Sequence, residues 1–233
     1  MHRALILLAF ILTLPNLLFS QTLNQEDELG RKQGKWIKYY QNGKTRFEGQ
    51  FKDDRPYGEF KNFYESGNLQ AVSKYSDDGV ICKINSFHEN GKPLAEGTYI
   101  NQKKDGKWLF YSDIDGKIVA EESYSMDILE GRKVSFYPET GEPAEITFYK
   151  QGKKEGVFQK FYPGGKVMVA GKYKNDLLDG EYTVYYENGQ VEIHGYYNKG
   201  LQISNWEYFD ENGKPLNEED YRKQEEPKEK IPE

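Results

Sequence analysis

The sequence predicts an all-β protein, an elongated antiparallel array of β-hairpin repeats. Three observations predict this class. A motif of 24 or 25 residues recurs along most of the 233-residue chain, which is the signature of a quasi-linear repeat architecture. Asn-Gly pairs, a strong hairpin signal, separate runs rich in aromatic residues. Aromatic residues make up 15% of the chain and Gly occurs 23 times, whereas hydrophobic residues reach only 36%. This composition favours thin β structure over a thick core.

Residues 1–20 have the features of a secretory signal peptide. An apolar run follows Arg3, and the small residue Ser20 precedes a polar segment that begins at Gln21. The run is short for a membrane span and contains Pro15. We therefore predict cleavage before Gln21, export to the periplasm or the exterior of the cell, and no stable membrane insertion after cleavage.

The repeat domain is predicted to span residues 34–216, about seven and a half units that give about fifteen strands. Each unit opens with a small residue, has a bulky residue two positions later, and ends its first strand with an aromatic residue. The unit starts are Gly34, Gly58, Cys82, Gly106, Gly131, Gly156, Gly180 and Ser204. The residues two positions along are Trp36, Phe60, Ile84, Trp108, Lys133, Phe158, Tyr182 and Trp206.

The Asn42-Gly43 pair predicts a two-residue type I′ turn, in which both central residues have positive φ. Counting outward from that turn pairs Tyr40 with Thr45 and Trp36 with Gly49. Each bulky ring of this hairpin then lies over a glycine on the neighbouring strand, an arrangement known as aromatic rescue of glycine. Other units repeat the scheme, but Ser73, Glu122 and Thr147 depart from it. The pairing predicts that the repeated rings and glycines together stabilise a sheet that lacks a second layer.

A second aromatic column lies five positions from each unit start. Because strand side chains alternate, this column faces away from Trp36, and its members are the candidate ligand-facing residues. They are Tyr39, Phe63, Phe87, Tyr111, Phe136, Phe161, Tyr185 and Phe209. The alternative is that both aromatic columns only cover the sheet, since strands favour aromatic residues in any case.

Polar segments flank the predicted repeat domain. Residues 21–33 form an N-terminal polar segment. Residues 217–233 are highly charged and contain few large apolar residues, a composition that predicts a disordered charged tail. A helical fragment before Pro227 is the alternative for part of that tail.

Charge and residue types restrict the chemistry. The formal net charge is −6 and both signs alternate along the chain, so no basic stripe is visible and nucleic acid is not expected as a partner. The single cysteine, Cys82, cannot form an internal disulfide. His88 and His194 lie about four repeats apart, too far to share a metal ion. Acidic pairs such as Asp53-Asp54 recur in the connectors, as ordinary polar turns do. We therefore expect a non-enzymatic protein with no catalytic residue, cofactor or metal.

The repeat columns resemble the MORN-repeat superfamily, in particular the bacterial variant repeats of YwqK-type antitoxin-like proteins. The residues that carry the resemblance are G-x-[WF]-x-x-[YF]-[YF]-x-N-G followed by G-x-[YF], and they cover residues 34–216. The resemblance implies an elongated β-hairpin array that acts as a scaffold or binding surface, usually without chemistry of its own.

Three functions are consistent with these features. The leading hypothesis is an exported scaffold whose sheet binds another envelope or secreted protein, with the partner and the oligomeric state left open. The second is a module that binds glycans or the cell wall, because aromatic rings pack on sugars or cage a quaternary ammonium group. The third is an antitoxin or immunity protein that neutralises a toxin, which predicts that the leader is retained.

Overall fold

The computed structural model describes residues 22–225, apart from the side chains of Ser204 and Glu225, and shows seventeen β-strands in one sheet and one helix. Each strand pairs antiparallel with the next strand along the chain, so the sheet is a meander without crossovers. The predicted signal peptide, residues 1–20, lies outside the described residues. The strands are β1 (Gln25–Glu26), β2 (Lys32–Tyr39), β3 (Thr45–Lys52), β4 (Arg55–Phe63), β5 (Leu69–Tyr75), β6 (Ile81–Phe87), β7 (Pro93–Ile100), β8 (Lys103–Tyr111), β9 (Ile118–Ser125), β10 (Ile128–Phe136), β11 (Pro143–Lys150), β12 (Lys153–Phe161), β13 (Val167–Lys174), β14 (Leu177–Tyr185), β15 (Val191–Asn198), β16 (Leu201–Phe209) and β17 (Pro215–Leu216), and the helix is α1 (Glu218–Glu225).

The predicted hairpin array is confirmed. Strands β2 to β16 are the fifteen strands that the repeat period predicts. The two-residue strands β1 and β17 extend the sheet at its ends, so the polar segment 21–33 contributes a strand of its own. Residues 22–225 contain no helix with the length and hydrophobicity needed to cross a bilayer.

The first hairpin has the predicted register at its base and a different one at its turn. Trp36 pairs with Gly49, as predicted, but Tyr39 rather than Tyr40 pairs with Thr45. The shift arises because the loop contains three residues: the amide of Tyr40 donates to the carbonyl of Lys44 at 2.8 Å.

The turn type at Asn42-Gly43 also differs from the prediction. Gly43 has φ +81°, whereas Asn42 is absent from the residues with positive φ. The amide of Gly43 donates to the carbonyl of Tyr40 at 3.0 Å, so the loop is a type I turn followed by a left-handed glycine. The predicted type I′ turn is therefore wrong at this position.

Turns with two left-handed residues occur instead at the connectors between units. Asp53 and Asp54 have φ +52° and +65°, and Asn175 and Asp176 have φ +50° and +69°, the signature of type I′ turns. The connector carboxylates also bond the backbone of a neighbouring connector. Asp54 Oδ1 accepts the amide of Lys32 at 2.9 Å. The acidic pairs thus act as polar turn residues, as the sequence predicts.

The unit-starting glycines are left-handed bulge residues. Gly106 has φ +73°, and the β7–β8 register skips around it, a conformation that favours glycine. Cys82 replaces this glycine in its unit, and there the β5–β6 register runs without a bulge. The Cys82 side chain is buried, and burial raises the pKa of its thiol, which disfavours the reactive thiolate.

The buried aromatic side chains form a row on one face of the sheet, whereas Val134, which is 0% exposed, is buried on the other. We call the face with the aromatic row the ring face and define it by Trp36, Phe60, Trp108 and Phe158, all of which are buried. Neighbouring rings along it meet edge to face, as Phe51 and Phe60 do at a centroid distance of 5.1 Å. Burying one such side chain contributes about 1.5–3 kcal/mol.

Rings do cover the glycines, but most of these rings belong to the strand that follows the glycine and not to the hairpin partner that the sequence predicts. A Cβ atom on Gly49 would lie 2.2 Å from the Phe60 ring of β4, although Gly49 is paired with Trp36 of β2. A Cβ atom on Gly97 would lie 2.3 Å from Trp108 of the following strand. Gly49 therefore opposes rings on both neighbouring strands, whereas Gly97 opposes Ile84 on β6 and Trp108 on β8. Close contact with the following strand couples one repeat to the next.

The tail begins with a helix, where the sequence predicts a disordered segment over 217–233. The amide of Asp220 donates to Asn217 Oδ1 at 2.8 Å, which caps the helix N-terminus. Tyr221 stacks on Tyr208 at 4.9 Å, and its hydroxyl donates to Glu192 Oε1 at 2.8 Å. The alternative of a helical fragment before Pro227 therefore describes residues 218–225, and residues 226–233 lie outside the described residues.

Candidate interaction surface

The two faces of the sheet carry different side chains. The face opposite the ring face presents exposed basic residues from β3 to β13, and we call it the lysine face. Alternation along each strand separates these residues from the aromatic row. Exposed basic residues of the lysine face include Lys52, Arg55, Lys74, Lys83, Lys103, Lys107, Arg132, Lys150, Lys153, Lys172 and Lys174.

Three cross-strand pairs on the lysine face join residues of like charge. Directly opposed in the register are Lys52 with Arg55, Lys74 with Lys83, and Lys150 with Lys153. Like charges that lie directly opposite each other destabilise a sheet. The lysine face therefore carries local electrostatic repulsion that a neutral substitution would remove.

The eight candidate aromatic residues lie near the hairpin turns. Alternation along the strands places them on the lysine face. Tyr111 bonds Glu96, and burial together with this carboxylate raises the pKa of Tyr111 to about 12. Tyr185 lines a groove of about 280 Å³ with Lys172 and Glu181. The Tyr39 side chain is 58% exposed, whereas the other seven are half-buried. Ligand contact by this column stays a prediction.

The backbone carbonyls of this aromatic column accept hydrogen bonds from side chains of the preceding repeat. The Tyr40 hydroxyl donates to the carbonyl of Phe63 at 2.7 Å, and the Tyr64 hydroxyl donates to the carbonyl of Phe87 at 2.7 Å. His88 takes the tyrosine position in its unit, and its Nε2 lies 3.4 Å from the carbonyl oxygen of Tyr111. The column is thus fixed in place structurally, and His88 substitutes for the tyrosine in its unit.

His194 lies on the lysine face between two carboxylates. Its Nε2 is 3.2 Å from Glu181 Oε1, and its Nδ1 is 3.2 Å from Glu207 Oε2. Within residues 22–225, no group of three or more His, Cys, Asp or Glu residues has a metal-binding arrangement. The three side chains form a cross-strand polar ladder over β14, β15 and β16.

The exposed apolar side chains of the lysine face include two cross-strand couples. Phe148 of β11 and Val157 of β12 are 37% and 51% exposed. Tyr196 pairs with Ile203 across β15 and β16, and both are exposed. The positions equivalent to Phe148 and Val157 in the first four units are polar, for example Gln50, Lys74, Lys83 and Lys107. The Phe148–Val157 couple is therefore specific to the C-terminal half of the array, whereas Ile81, at the position equivalent to Ile203, is also apolar and 43% exposed.

One unit replaces the ring and its glycine by an ion pair. In the register, Glu122 lies between Trp108 and Lys133, and Lys133 Nζ lies 2.7 Å from Glu122 Oε1. The Tyr124 hydroxyl donates to the other carboxylate oxygen. Burial of Glu122 by itself raises its pKa, but the hydrogen bonds from Lys133 and Tyr124 outweigh it and lower the pKa.

The lowered pKa of Glu122 predicts an acid-sensitive contribution to stability. A carboxylate whose pKa is depressed in the folded state stabilises the fold above its unfolded-state pKa of about 4.3, and this contribution is lost as the pH falls through the folded-state value. Because Glu122 is 13% exposed and Lys133 36% exposed, we expect Glu122→Gln to cost about 1–2 kcal/mol at pH 7, between exposed and buried pairs. The free energy of unfolding, measured by urea denaturation at pH 7 and pH 3, should fall less on acidification in this variant than in the wild-type protein.

The matched control for this prediction is Glu59→Gln. Glu59 pairs with Lys61 at 3.3 Å, but its side chain is 59% exposed, so its effect should be small at both pH values. An equal acid sensitivity of the wild-type protein and Glu122→Gln would contradict the assignment.

The ring face contains a cation site that is filled by a lysine of the chain. Lys104 Nζ lies 4.7 Å from the Trp108 ring, 5.0 Å from Phe110 and 4.9 Å from Tyr124. These distances are within the range of cation–π attraction. The aromatic cage here is occupied by the side chain of Lys104 and stabilises the fold.

Comparison with known proteins points to a repeat family. A family model described as MORN repeat variant matches residues 32–53, 56–77, 83–101, 154–175, 178–199 and 205–223, together more than half of the chain. The matches omit residues 102–153, where Lys133 and Glu122 replace the ring and glycine. The assignment to the YwqK type stays a prediction. No curated protein matches the chain.

Among solved structures, the chain is similar to a crystal structure of a mutant of S. aureus TarM in complex with fondaparinux, alpha-GlcNAc-glycerol and UDP. The sequence identity is 16% and the TM-score is 0.25. The match covers 51% of this chain and 20% of that chain. At this similarity, the match carries no argument about fold or function.

Proposed function

Because the chain belongs to the MORN repeat variant family, we propose that it is an exported, non-enzymatic scaffold whose lysine face binds another protein of the cell envelope or the exterior. Repeats of this family are in general interaction modules. The features of residues 1–20 support export. A sheet in which each strand pairs with its sequence neighbours offers a long, continuous surface rather than an enclosed cavity.

The observation that carries this proposal is the pair of apolar couples on the lysine face. Phe148 and Val157 expose apolar area at positions where the first four units place polar side chains, and Tyr196 with Ile203 adds a second exposed couple on the same face. Apolar area set among charged residues is typical of protein interaction sites. The ring face, in contrast, uses its apolar side chains to cover its own glycines.

Site-specific photo-crosslinking in the producing cell tests the proposal. A photoreactive amino acid at Val157 or Tyr196 should give a discrete crosslinked protein, whereas the same group at Lys38, on the ring face, should not. Crosslinks at Lys38 alone would contradict use of the lysine face.

Sequencing of the N-terminus of the exported protein tests cleavage before Gln21. Retention of the leader with the protein inside the cell would contradict export and favour the antitoxin alternative. Capture by purified cell-wall glycan without any crosslinked protein would favour the glycan alternative.

A further inference from the structure

The like-charged pairs on the lysine face identify the chemistry of its partner. We infer that the lysine face binds an acidic, extended polypeptide segment, which lies across the strands and neutralises these pairs. The inference rests on the proposed function, because it specifies the protein partner of the same face. It depends on the charges, the register and the exposure of six basic residues.

The six residues are unusual because they repel each other. Lys52 opposes Arg55, Lys74 opposes Lys83, and Lys150 opposes Lys153, and all six are exposed. None of them forms a direct ion pair within residues 22–225, whereas nearby Lys61 and Lys107 do, with Glu59 and Glu121. Cross-strand positions in sheets favour opposite charges. Compensation in the free protein is partial, because Lys74 opposes Glu59 on its other side and Arg55 interacts electrostatically with Asp78. A sequence that breaks this local rule does so most often at a functional site.

The pairs form a band that matches the length of an extended peptide. They lie at the connector side of β3–β4, β5–β6 and β11–β12, and Lys103 and Lys107 on β8 lie between them. At about 4.8 Å per strand, the distance from β3 to β12 is roughly 43 Å, which an extended chain of about 13 residues covers. Acidic residues on every second or third position of such a chain would meet the basic band repeatedly.

The borders of the band favour a narrow polypeptide over a broad anionic surface. Asp53, Asp54, Asp77 and Asp78 form the connector turns beside the first two pairs. A lipid bilayer wide enough to reach all three pairs would press these carboxylates against its anionic headgroups, and like charges repel. A single extended chain is much narrower than a bilayer and meets fewer of these carboxylates, although Asp53, Asp77 and Asp78 line the same groove as Lys52 and Arg55.

The apolar couple at one end of the band favours a polypeptide over a nucleic acid. Phe148 and Val157 lie on the strands that carry Lys150 and Lys153, and a peptide can place an apolar side chain there beside its acidic ones. The net charge of −6 for the whole chain also disfavours association with a long polyphosphate at a distance. An acidic segment with one or two apolar residues fits both the band and its end.

The binding of a labelled peptide to the full chain tests the inference. The probe is a fluorescent peptide of about fifteen residues, in which glutamate alternates with alanine and leucine, a length set by the strand spacing. We expect saturable binding that weakens as salt rises, and a loss of about tenfold or more in affinity in the double variant Lys74→Gln/Lys150→Gln. The control Lys38→Gln removes a positive charge from the ring face and should leave the affinity unchanged.

A second measurement separates this role from a structural one. Lys83 opposes Lys74 on one side and the neutral Thr98 on the other. Because Lys83→Gln removes only a repulsive pair, it should raise the melting temperature while it weakens peptide binding. A lowered melting temperature, or equal binding by the wild-type protein and the double variant, would overturn the inference. Tighter binding to vesicles of phosphatidylglycerol and phosphatidylcholine, or to oligothymidylate, than to the peptide would overturn it as well. If the photo-crosslinked partner is still captured by the double variant, the acidic-partner inference fails while the proposed scaffold function stands.

Discussion

Replacing Trp108 with alanine should lower the free energy of unfolding by about 3–5 kcal/mol, the range for large-to-small changes of buried aromatic residues. Trp108 is 3% exposed, covers Gly97, and meets Tyr99 edge to face at 4.9 Å. Its Nε1 donates to the carbonyl of Thr98 at 3.2 Å. The substitution removes these contacts and uncovers backbone in a sheet that has no second layer within residues 22–225, so the loss should appear directly in urea denaturation curves.

A matched control separates this effect from the removal of any aromatic ring. Tyr39 belongs to the repeated column on the lysine face but is 58% exposed, so Tyr39→Ala should cost less than about 1 kcal/mol, as surface changes generally do. Because contacts in a linear array join neighbouring repeats only, Trp108→Ala should accelerate amide exchange mainly in β7 to β9. Equal costs for the two variants, or uniform acceleration along the chain, would contradict the nearest-neighbour description.

The sequence predicts the strands and the hairpin base well because side-chain alternation and the repeat period constrain them directly. Trp36 opposite Gly49 follows from counting residues and is confirmed. The turn types do not follow, because the same Asn-Gly pair fits a two-residue loop or a three-residue loop whose single left-handed residue is Gly43. The loop that forms is set by the register of the strands on both sides, which no single unit of the sequence specifies.

The candidate surface is predictable in part. The aromatic column with Tyr111 faces away from Trp108, as alternation predicts, and the contact with Glu96 locates it on the lysine face. The basic band was missed, because mixed charge along the chain hides it. Lys74 and Lys83 lie nine positions apart in the sequence, with Asp77 and Asp78 between them. Only the register makes the two lysines direct neighbours. The band is therefore a property of the cross-strand pairs and not of the linear sequence.

Gly97→Ala should destabilise the protein by about 1–3 kcal/mol, the usual cost of overpacking, although alanine is ordinarily the better strand residue. The added Cβ atom would lie 2.3 Å from the Trp108 ring, so the buried indole or its strand must move. Thermal and urea denaturation measure the cost. In a Trp108→Ala background, the same change should become neutral or slightly stabilising, because the ring that excludes the methyl group is absent and glycine has the larger unfolded-state entropy. If the cost of Gly97→Ala is the same in both backgrounds, the glycine is required by the backbone itself and not by the ring that covers it.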